Sequence, residues 1–312
     1  MNPTTNISTR ISTYRIEIPF QIWLFFIVDL GTFVCTLFVL YHLIADRTLR
    51  TALHNHAVII ILILTLAMTS VDIPLQLQFY ITGSVRPATD LTCRFWWLID
   101  WANSYIIAVL LLFASIERHI LIFHSALVAT FRKRLIFHYI PLSSVITFML
   151  IFYGIAIFSP ICTNSFNFTA NLCGLTACYQ SMTGFVMIEQ IGFGALSYIL
   201  IVVFNMTLVI RVIKQKYRLH RIVQWSKQRR LVLQMIALSS LFFFFSAPVT
   251  IIYIVRLVGP TYWGESVLSI LYYLSYYAIL LLPFVCLGNI PQLKQKLIHC
   301  IPRYRRIAAL AI

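Results

Sequence analysis

The sequence predicts an all-α membrane protein, a bundle of seven transmembrane helices followed by a short amphipathic helix. Of its 312 residues, 60 % are hydrophobic and only 11 % are charged, and a water-soluble domain could not hide so much apolar surface in its core. Apolar stretches of about 20 residues recur between short polar loops, and each is long enough to cross a hydrocarbon layer of roughly 30 Å. The predicted spans cover residues 19–44, 57–81, 93–123, 137–159, 182–213, 232–257 and 267–287.

The chain divides into one membrane domain and two short tails. Residues 1–18 are polar and lack the charged start, short apolar core and cleavage site of a signal peptide, so they are predicted to form an N-terminal tail. Residues 19–290 hold the seven spans, and residues 291–312 are predicted to form the amphipathic helix and a second tail. Because no loop or tail is long enough to bury a core of its own, no separate soluble domain is expected.

The positive charges lie mainly on one side of the predicted bundle. The net charge is +15, and 19 of the 24 Lys and Arg residues lie at or after the ends of spans one, three, five and seven. The positive-inside rule therefore places the C-terminus in the cytoplasm and the N-terminus outside the plasma membrane. Basic loops also attract anionic lipid, so membrane lipid is an expected partner and nucleic acid is not. On the outer side, Asn6 and Asn167 begin Asn-x-Ser/Thr triplets at which glycosylation is expected.

Four cysteines lie on the predicted outer side. Cys93 stands at the outer end of span three, and Cys162, Cys173 and Cys178 lie in the loop between spans four and five. That side faces an oxidising compartment, so a disulfide from Cys93 to the loop is expected. Cys173 or Cys178 is favoured as the partner, and the other two loop cysteines are candidates for a second bond. Cys300 follows the last span among basic residues, where palmitoylation is expected.

Span three ends in the triplet Glu117-Arg118-His119, and Arg118 follows Cys93 by 25 residues. At 1.5 Å per residue this interval is roughly 37 Å, so the cysteine marks one membrane face and the arginine the other. The pattern resembles the rhodopsin-like family of G-protein-coupled receptors, in which a disulfide cysteine precedes the arginine of a Glu/Asp-Arg-Tyr triplet by the same interval. His119 stands in place of the tyrosine. The resemblance implies that a Glu117–Arg118 pair acts as an activation switch and that Arg118 meets a heterotrimeric G protein.

Span six carries a second part of the resemblance. Phe242 precedes Pro248 by six residues, as in the family's Phe-x-x-Cys-Trp-x-Pro pattern, although Phe245 and Ser246 replace the cysteine and the tryptophan. A proline inside a helix removes a backbone hydrogen bond and bends the helix. The resemblance therefore implies that Phe242 and Pro248 belong to the part of span six that moves on activation.

Span seven and the inner loops complete the resemblance. Pro283 fits the proline of the family's Asn-Pro-x-x-Tyr motif, although Leu282 and Cys286 replace the asparagine and the tyrosine. Thr65 occupies the position of the family's sodium-binding aspartate, so a sodium site is not expected. Besides Arg118, the residues implied as G-protein contacts are Lys227, Arg229, Arg230 and Lys294.

Asp100 is the leading candidate for a ligand contact, because a charged residue within a span is costly and calls for a function. It lies about two turns inside span three, and Trp96 and Ser104 fall on the same stripe of the helix. In the family's amine receptors, an aspartate at this interval holds the ligand's ammonium and accepts a hydrogen bond from a tyrosine that matches Tyr276. Glu189 lies in the outer half of span five, where ligands of the family also reach. The expected ligand is a peptide with a basic group or a small amine; internal bonding of Asp100 is the alternative.

No catalytic signature is present, so an enzyme is not expected. The sequence contains no HExxH, Gly-rich phosphate loop or GxSxG motif, and no metal site or cofactor is predicted. His54 and His56 are interpreted as loop residues. Span seven has no lysine for a retinal Schiff base. A seven-span transporter or a channel-like chemoreceptor is the alternative function, and a homodimer stays open as a further partner.

Overall fold

The computed structural model describes residues 3–159, 162–174, 177–219, 222–260, 263–290 and 293, with side chains described except for residues 3–19, 125, 215–231 and 265. Within this part the chain folds into helices joined by short connections. Five major helices are α1 (Pro3–Ala45), α2 (Leu53–Thr82), α3 (Asp90–Phe123), α4 (Phe131–Phe158) and α5 (Thr183–Lys214, continuing to Leu219). Two broken helices follow, α6 (Ile222–Phe245 and Ala247–Val258) and α7 (Glu265–Leu280 and Leu282–Asn289).

The lengths and composition of these helices fit a multi-pass membrane protein. In the described residues, six helices are long and apolar enough to cross a membrane, and a seventh span is present if the bent pair of α6 counts as one. Large apolar side chains such as Ile27, Ile199 and Phe244 point outward and are more than half exposed. Outward-facing apolar side chains are expected where lipid is the solvent. The most buried of the long helices is α3, which carries both the Asp100 and the Arg118 regions.

Each predicted span coincides with a helix, but several boundaries differ. The first helix begins at Pro3, so the predicted N-terminal tail continues α1, whose apolar part starts at Phe20. The second begins at Leu53, which places His54 and His56 in α2 rather than in a loop. Asn6 lies in the helical backbone of α1, and its side chain is outside the described residues. Lys294, Cys300 and nearly all of the predicted amphipathic helix also lie outside the described residues.

Proline explains the two breaks. The two parts of α6 meet at Ser246 with a bend of 45°, and Pro248 in the first turn of the second part has no backbone N–H to donate to Phe244. The break predicted for this helix is therefore present. A similar interruption occurs at Leu281 in α7, where Pro283 lies in the first turn of the next segment.

Wider π-helical turns interrupt four of these helices. They cover Met68–Asp72 in α2, Leu98–Ala102 in α3, Leu135–Tyr139 in α4 and Met187–Leu196 in α5. Such a turn adds a residue to the helix and rotates the side chains on either side of it by about 100° relative to a regular helix. These turns therefore change which residues face the space between the helices.

Candidate functional site

A cavity lies between α3, α5, α6 and α7 at the end of the molecule that carries the disulfides. Its empty volume is about 710 Å³, including the part that opens to solvent. Met68 of α2 and Gln180 of the connection between α4 and α5 complete the wall. Most of the polar groups in the wall are tyrosine hydroxyls and two acids, Asp100 and Glu189. The cavity therefore contains both acids that the sequence singled out as ligand contacts.

Asp100 is nearly fully buried at the wall of the cavity. The hydroxyl of Tyr272 donates a hydrogen bond to its Oδ2 atom. The resemblance implied Tyr276 as the donor, and the Tyr276 side chain also interacts with the Asp100 carboxylate. Both tyrosines line the cavity because they lie one turn apart on the same face of α7. The resemblance therefore selected the right face of this helix, and Tyr272 is a donor that it did not name.

Glu189 lies on the α5 side of the cavity and is 1 % exposed. Its Oε1 atom accepts hydrogen bonds from the hydroxyls of Tyr153, at 2.9 Å, and Tyr179, at 3.0 Å. Its Oε2 atom has no hydrogen-bond partner among the described residues, and neither does Oε1 of the adjacent Gln190. The π-helical segment Met187–Leu196 brings these two successive side chains into the interior together.

Trp96 does not line the cavity, contrary to the prediction. It is fully buried, and its Nε1 atom donates to Oδ1 of Asp72 at 2.6 Å. The π-helical turn at Leu98–Ala102 separates Trp96 from Asp100 and rotates it toward α2, while Trp101 lines the cavity instead. Ser104 does line the cavity, and its hydroxyl donates to the backbone oxygen of Asp100 at 2.8 Å.

The connection between α4 and α5 covers this end of the helices. Disulfides join Cys93 to Cys173 and Cys162 to Cys178. Of the two partners favoured for Cys93, Cys173 is therefore the one bonded, and Cys178 belongs to the second bond. Asn167, a predicted glycosylation site, is exposed in this connection.

Side chains from the helices anchor the same connection. The indole nitrogen of Trp97 donates to the backbone oxygen of Leu172 at 2.6 Å, and Tyr179 reaches Glu189. Leu172 and Tyr179 are almost completely buried. The disulfides and these contacts together hold the connection against the mouth of the cavity.

At the opposite end of α3, Glu117 pairs with a histidine rather than with the adjacent arginine. Oε1 of Glu117 lies 2.5 Å from Nδ1 of His138 on α4. Neighbouring residues on a helix point about 100° apart, so Glu117 faces α4 while Arg118 faces α6. Nη2 of the buried Arg118 donates to Oε1 of Gln234 at 3.4 Å. The predicted Glu117–Arg118 pair is thus replaced by two contacts that connect α3 to two different helices.

The Glu117 contact continues into α2. Nε2 of His138 lies 2.7 Å from Nδ1 of His56, and Nε2 of His56 lies 2.9 Å from the backbone oxygen of Arg50. Together these contacts form a Glu117–His138–His56 cluster that connects α3, α4 and α2.

The remaining predicted site residues are partly described. Nε2 of His119 lies 2.7 Å from the backbone oxygen of Phe204 on α5. Phe242 is buried and lines the cavity. The residues predicted to contact a G protein include Lys227, Arg229 and Arg230, which lie in the α6 backbone and whose side chains are outside the described residues.

Sequence reasoning missed His56, His138 and Gln234. Each lies near the predicted inner end of a helix, and a polar side chain at that depth is the only signal that could have singled it out. In the part of the chain described here, no group of three or more His, Cys, Asp or Glu residues is arranged to hold a metal ion. No protein-family model and no curated protein matches the sequence.

Proposed function

We propose that the protein is a G-protein-coupled receptor of the rhodopsin-like type. In this proposal the seven helices cross the plasma membrane, with α6 counted as one bent span and the N-terminus outside. An extracellular ligand binds in the cavity beside Asp100 and Glu189. A heterotrimeric G protein then binds at the end of α3 that carries Arg118.

The observation that carries the proposal is the position of the break in α6. Ser246, at the break, lines the cavity together with Phe242 and Thr250 on either side of it. The same helix reaches Arg118 through Gln234, three turns further along. A ligand that packs against the break favours one bend angle over another, and the angle sets the distance between Gln234 and Arg118. Such coupling is what a ligand needs in order to shift a two-state equilibrium at a distant site.

Two further observations support the orientation. The disulfides of Cys93 and Cys162 lie at the cavity end, and disulfides persist in oxidising compartments such as the cell exterior. The Lys and Arg residues concentrate in the segments that lead away from the Arg118 end, as cytoplasmic loops do. Both observations support the proposal that the cavity faces the outside.

The test is guanine-nucleotide exchange in membranes from cells that express the protein with each class of G protein. Exchange above that of control membranes is expected for at least one class, and Arg118→Ala should abolish it. Arg94→Ala is the matched control, because Arg94 lies at the other end of α3 and donates to the backbone oxygen of Ile157. Exchange that is absent with every G protein, or unchanged by Arg118→Ala, would contradict the proposal.

A proton-coupled transporter is the second candidate, and the Glu117–His138–His56 cluster is the observation that favours it. A hydrogen-bonded row of titratable groups can pass a proton between helices. Vesicles containing the protein and a pH-sensitive dye provide the test. A proton flux that His138→Phe abolishes, in a protein that supports no nucleotide exchange, would favour the transporter.

A further inference from the structure

We propose that the cavity binds a small organic dication, with one amine or guanidine group at Asp100 and the other at Glu189. This inference deepens the proposed function, on which it rests for the ligand's entry from outside. It goes beyond a single counter-ion at Asp100, because it assigns the second charged group of the ligand to α5.

The first argument is charge. Asp100 and Glu189 are both buried and both line the cavity, and no Lys, Arg or His is among the described residues that form its wall. Their hydrogen bonds come from the hydroxyls of Tyr272, Tyr153 and Tyr179, which carry no charge. Buried carboxylates are retained where an opposite charge balances them. A ligand with two positive groups balances both acids at once.

The second argument is the set of unused hydrogen-bonding atoms. Oε2 of Glu189 and Oε1 of Gln190 are buried acceptors without partners among the described residues. They belong to successive residues of α5, and both residues line the cavity. Buried polar atoms are normally satisfied. The Glu189 end of the cavity therefore offers acceptors to a donor with several N–H groups, as ammonium and guanidinium are.

The third argument concerns the aromatic part of the wall. The rings of Trp101, Tyr105 and Tyr253 line the cavity together with the two acids. Aromatic faces attract cations and also pack against a hydrocarbon chain. A ligand with two cationic ends and an apolar middle suits a cavity that combines two acids with aromatic walls.

The fourth argument limits the size of the ligand. The connection between α4 and α5 is fixed over the mouth by its disulfides, and Tyr179 of that connection donates directly to Glu189. The empty volume of about 710 Å³ includes space that is open to solvent, so it is an upper limit on the space for a ligand. A short peptide with an N-terminal amine and a lysine side chain carries the same two charges, so it must be tested separately.

The experiment measures the shift in thermal unfolding of the purified protein by α,ω-diaminoalkanes of increasing length. The matched monoamines are the 1-aminoalkanes of equal length. We expect one diamine length to bind best, at least about tenfold more tightly than its monoamine. Glu189→Gln should lower diamine affinity to about that of the monoamine, because the amide oxygen still accepts from Tyr153 and Tyr179 but carries no charge. Asp90→Asn is the control, since Asp90 is exposed at the start of α3.

A second variant separates ligand contact from folding. Glu189→Asp shortens the side chain by one methylene group, so the best diamine should become longer by about one carbon. A merely structural role of Glu189 would not move this optimum. Equal binding of diamines and monoamines by the unmodified protein, or an optimum that Glu189→Asp leaves in place, would overturn the inference. Binding of a Lys-Lys dipeptide in preference to every diamine would overturn the assignment to a small ligand.

The binding assay contains no G protein, so the two proposals fail separately. Diamines that bind with a Glu189-dependent optimum but never raise nucleotide exchange would support the dication site and contradict the receptor. Nucleotide exchange that depends on Arg118, in a protein that no diamine stabilises, would support the receptor and contradict the dication site.

Discussion

The two ends of the helix bundle differ in the side chains that contact their buried acids. In the cavity, Asp100 and Glu189 are held by tyrosine hydroxyls, which donate hydrogen bonds and supply no charge. At the other end, Glu117 is held by His138, which can carry a positive charge. The described partners of the two cavity acids are uncharged, so a positively charged ligand is needed to balance them. At the other end, the protein itself supplies a side chain that can balance the acid.

This difference suits the cavity to ligand binding and the other end to a change of helix packing. Acids without a charged partner in the protein bind a cation strongly, because charges removed from water interact strongly. The Glu117–His138–His56 cluster has partners for its acid within the protein and connects α2, α3 and α4. The contact between Arg118 and Gln234 of α6 is long for a hydrogen bond, at 3.4 Å. We therefore expect α6 to move while the Glu117–His138–His56 cluster stays intact.

The largest effect is expected from His138→Phe. The substitution keeps an aromatic ring but leaves Glu117, which is 3 % exposed, without its ion-pair partner. Removing one partner of a buried ion pair costs about 3–5 kcal/mol. Thermal unfolding of the purified protein should show a clear loss of stability, and adding Glu117→Gln should recover much of it. Equal stability of His138→Phe and the unmodified protein would mean that the charge of Glu117 is balanced in another way.

A smaller effect is expected from Gln234→Leu, which removes the acceptor for Arg118 on α6. A hydrogen bond to a charged group contributes about 1.5–3 kcal/mol, and its length here favours the lower end of that range. If this contact holds α6 inward, ligand-independent nucleotide exchange should rise about tenfold, as 1.4 kcal/mol predicts. Ser240→Ala is the control, because its hydroxyl donates only to the backbone oxygen of Ile236 in the same helix. Lower exchange in Gln234→Leu would place this glutamine in the active rather than the inactive packing.

Helix periodicity was sufficient to predict most of the inner face of α3. Trp96, Asp100 and Ser104 were assigned to one stripe, and Asp100 and Ser104 both line the cavity. The prediction failed at Trp96, because the π-helical turn at Leu98–Ala102 changes the rotation per residue. Nothing in the local sequence reports such a turn, since packing between helices decides whether the extra residue is accommodated.

Contacts between helices were the second feature that the sequence could not predict. Glu117 and His138 are separated by a loop and lie on different helices, so their pairing depends on how α3 and α4 are rotated about their axes. The same holds for the choice between Cys173 and Cys178 as partner of Cys93. Composition and charge lead only to a prediction of the membrane side on which these groups lie, whereas their pairing required the tertiary structure.

Tyr179→Phe tests how firmly the cavity acid is held. The substitution removes one of the two hydroxyls that donate to Oε1 of Glu189 and keeps the ring that packs in the connection. The loss of one such bond should lower stability by about 1–3 kcal/mol, less than His138→Phe because Tyr153 continues to donate. Tyr41→Phe is the control, since Tyr41 is 67 % exposed on α1. A loss of stability as large as that of His138→Phe would show that Glu189 depends on one hydroxyl as strongly as Glu117 depends on His138.

Asn167→Gln is expected to have the smallest effect on stability, and it gives the clearest test of how the protein is oriented in the membrane. Asn167 is exposed in the connection over the cavity, and its Oδ1 atom accepts from the hydroxyl of Thr169 at 2.7 Å. If the cavity end faces the cell exterior, the chain passes through the secretory pathway with Asn167 on the lumenal side and carries a glycan there. Asn167→Gln should then abolish a glycosidase-sensitive shift on an electrophoresis gel and leave thermal stability within about 0.5 kcal/mol, as surface substitutions do. A new acceptor triplet placed in the connection between α3 and α4 should remain unmodified, and a glycan on that triplet alone would reverse the proposed orientation and place the dication site on the cytoplasmic side.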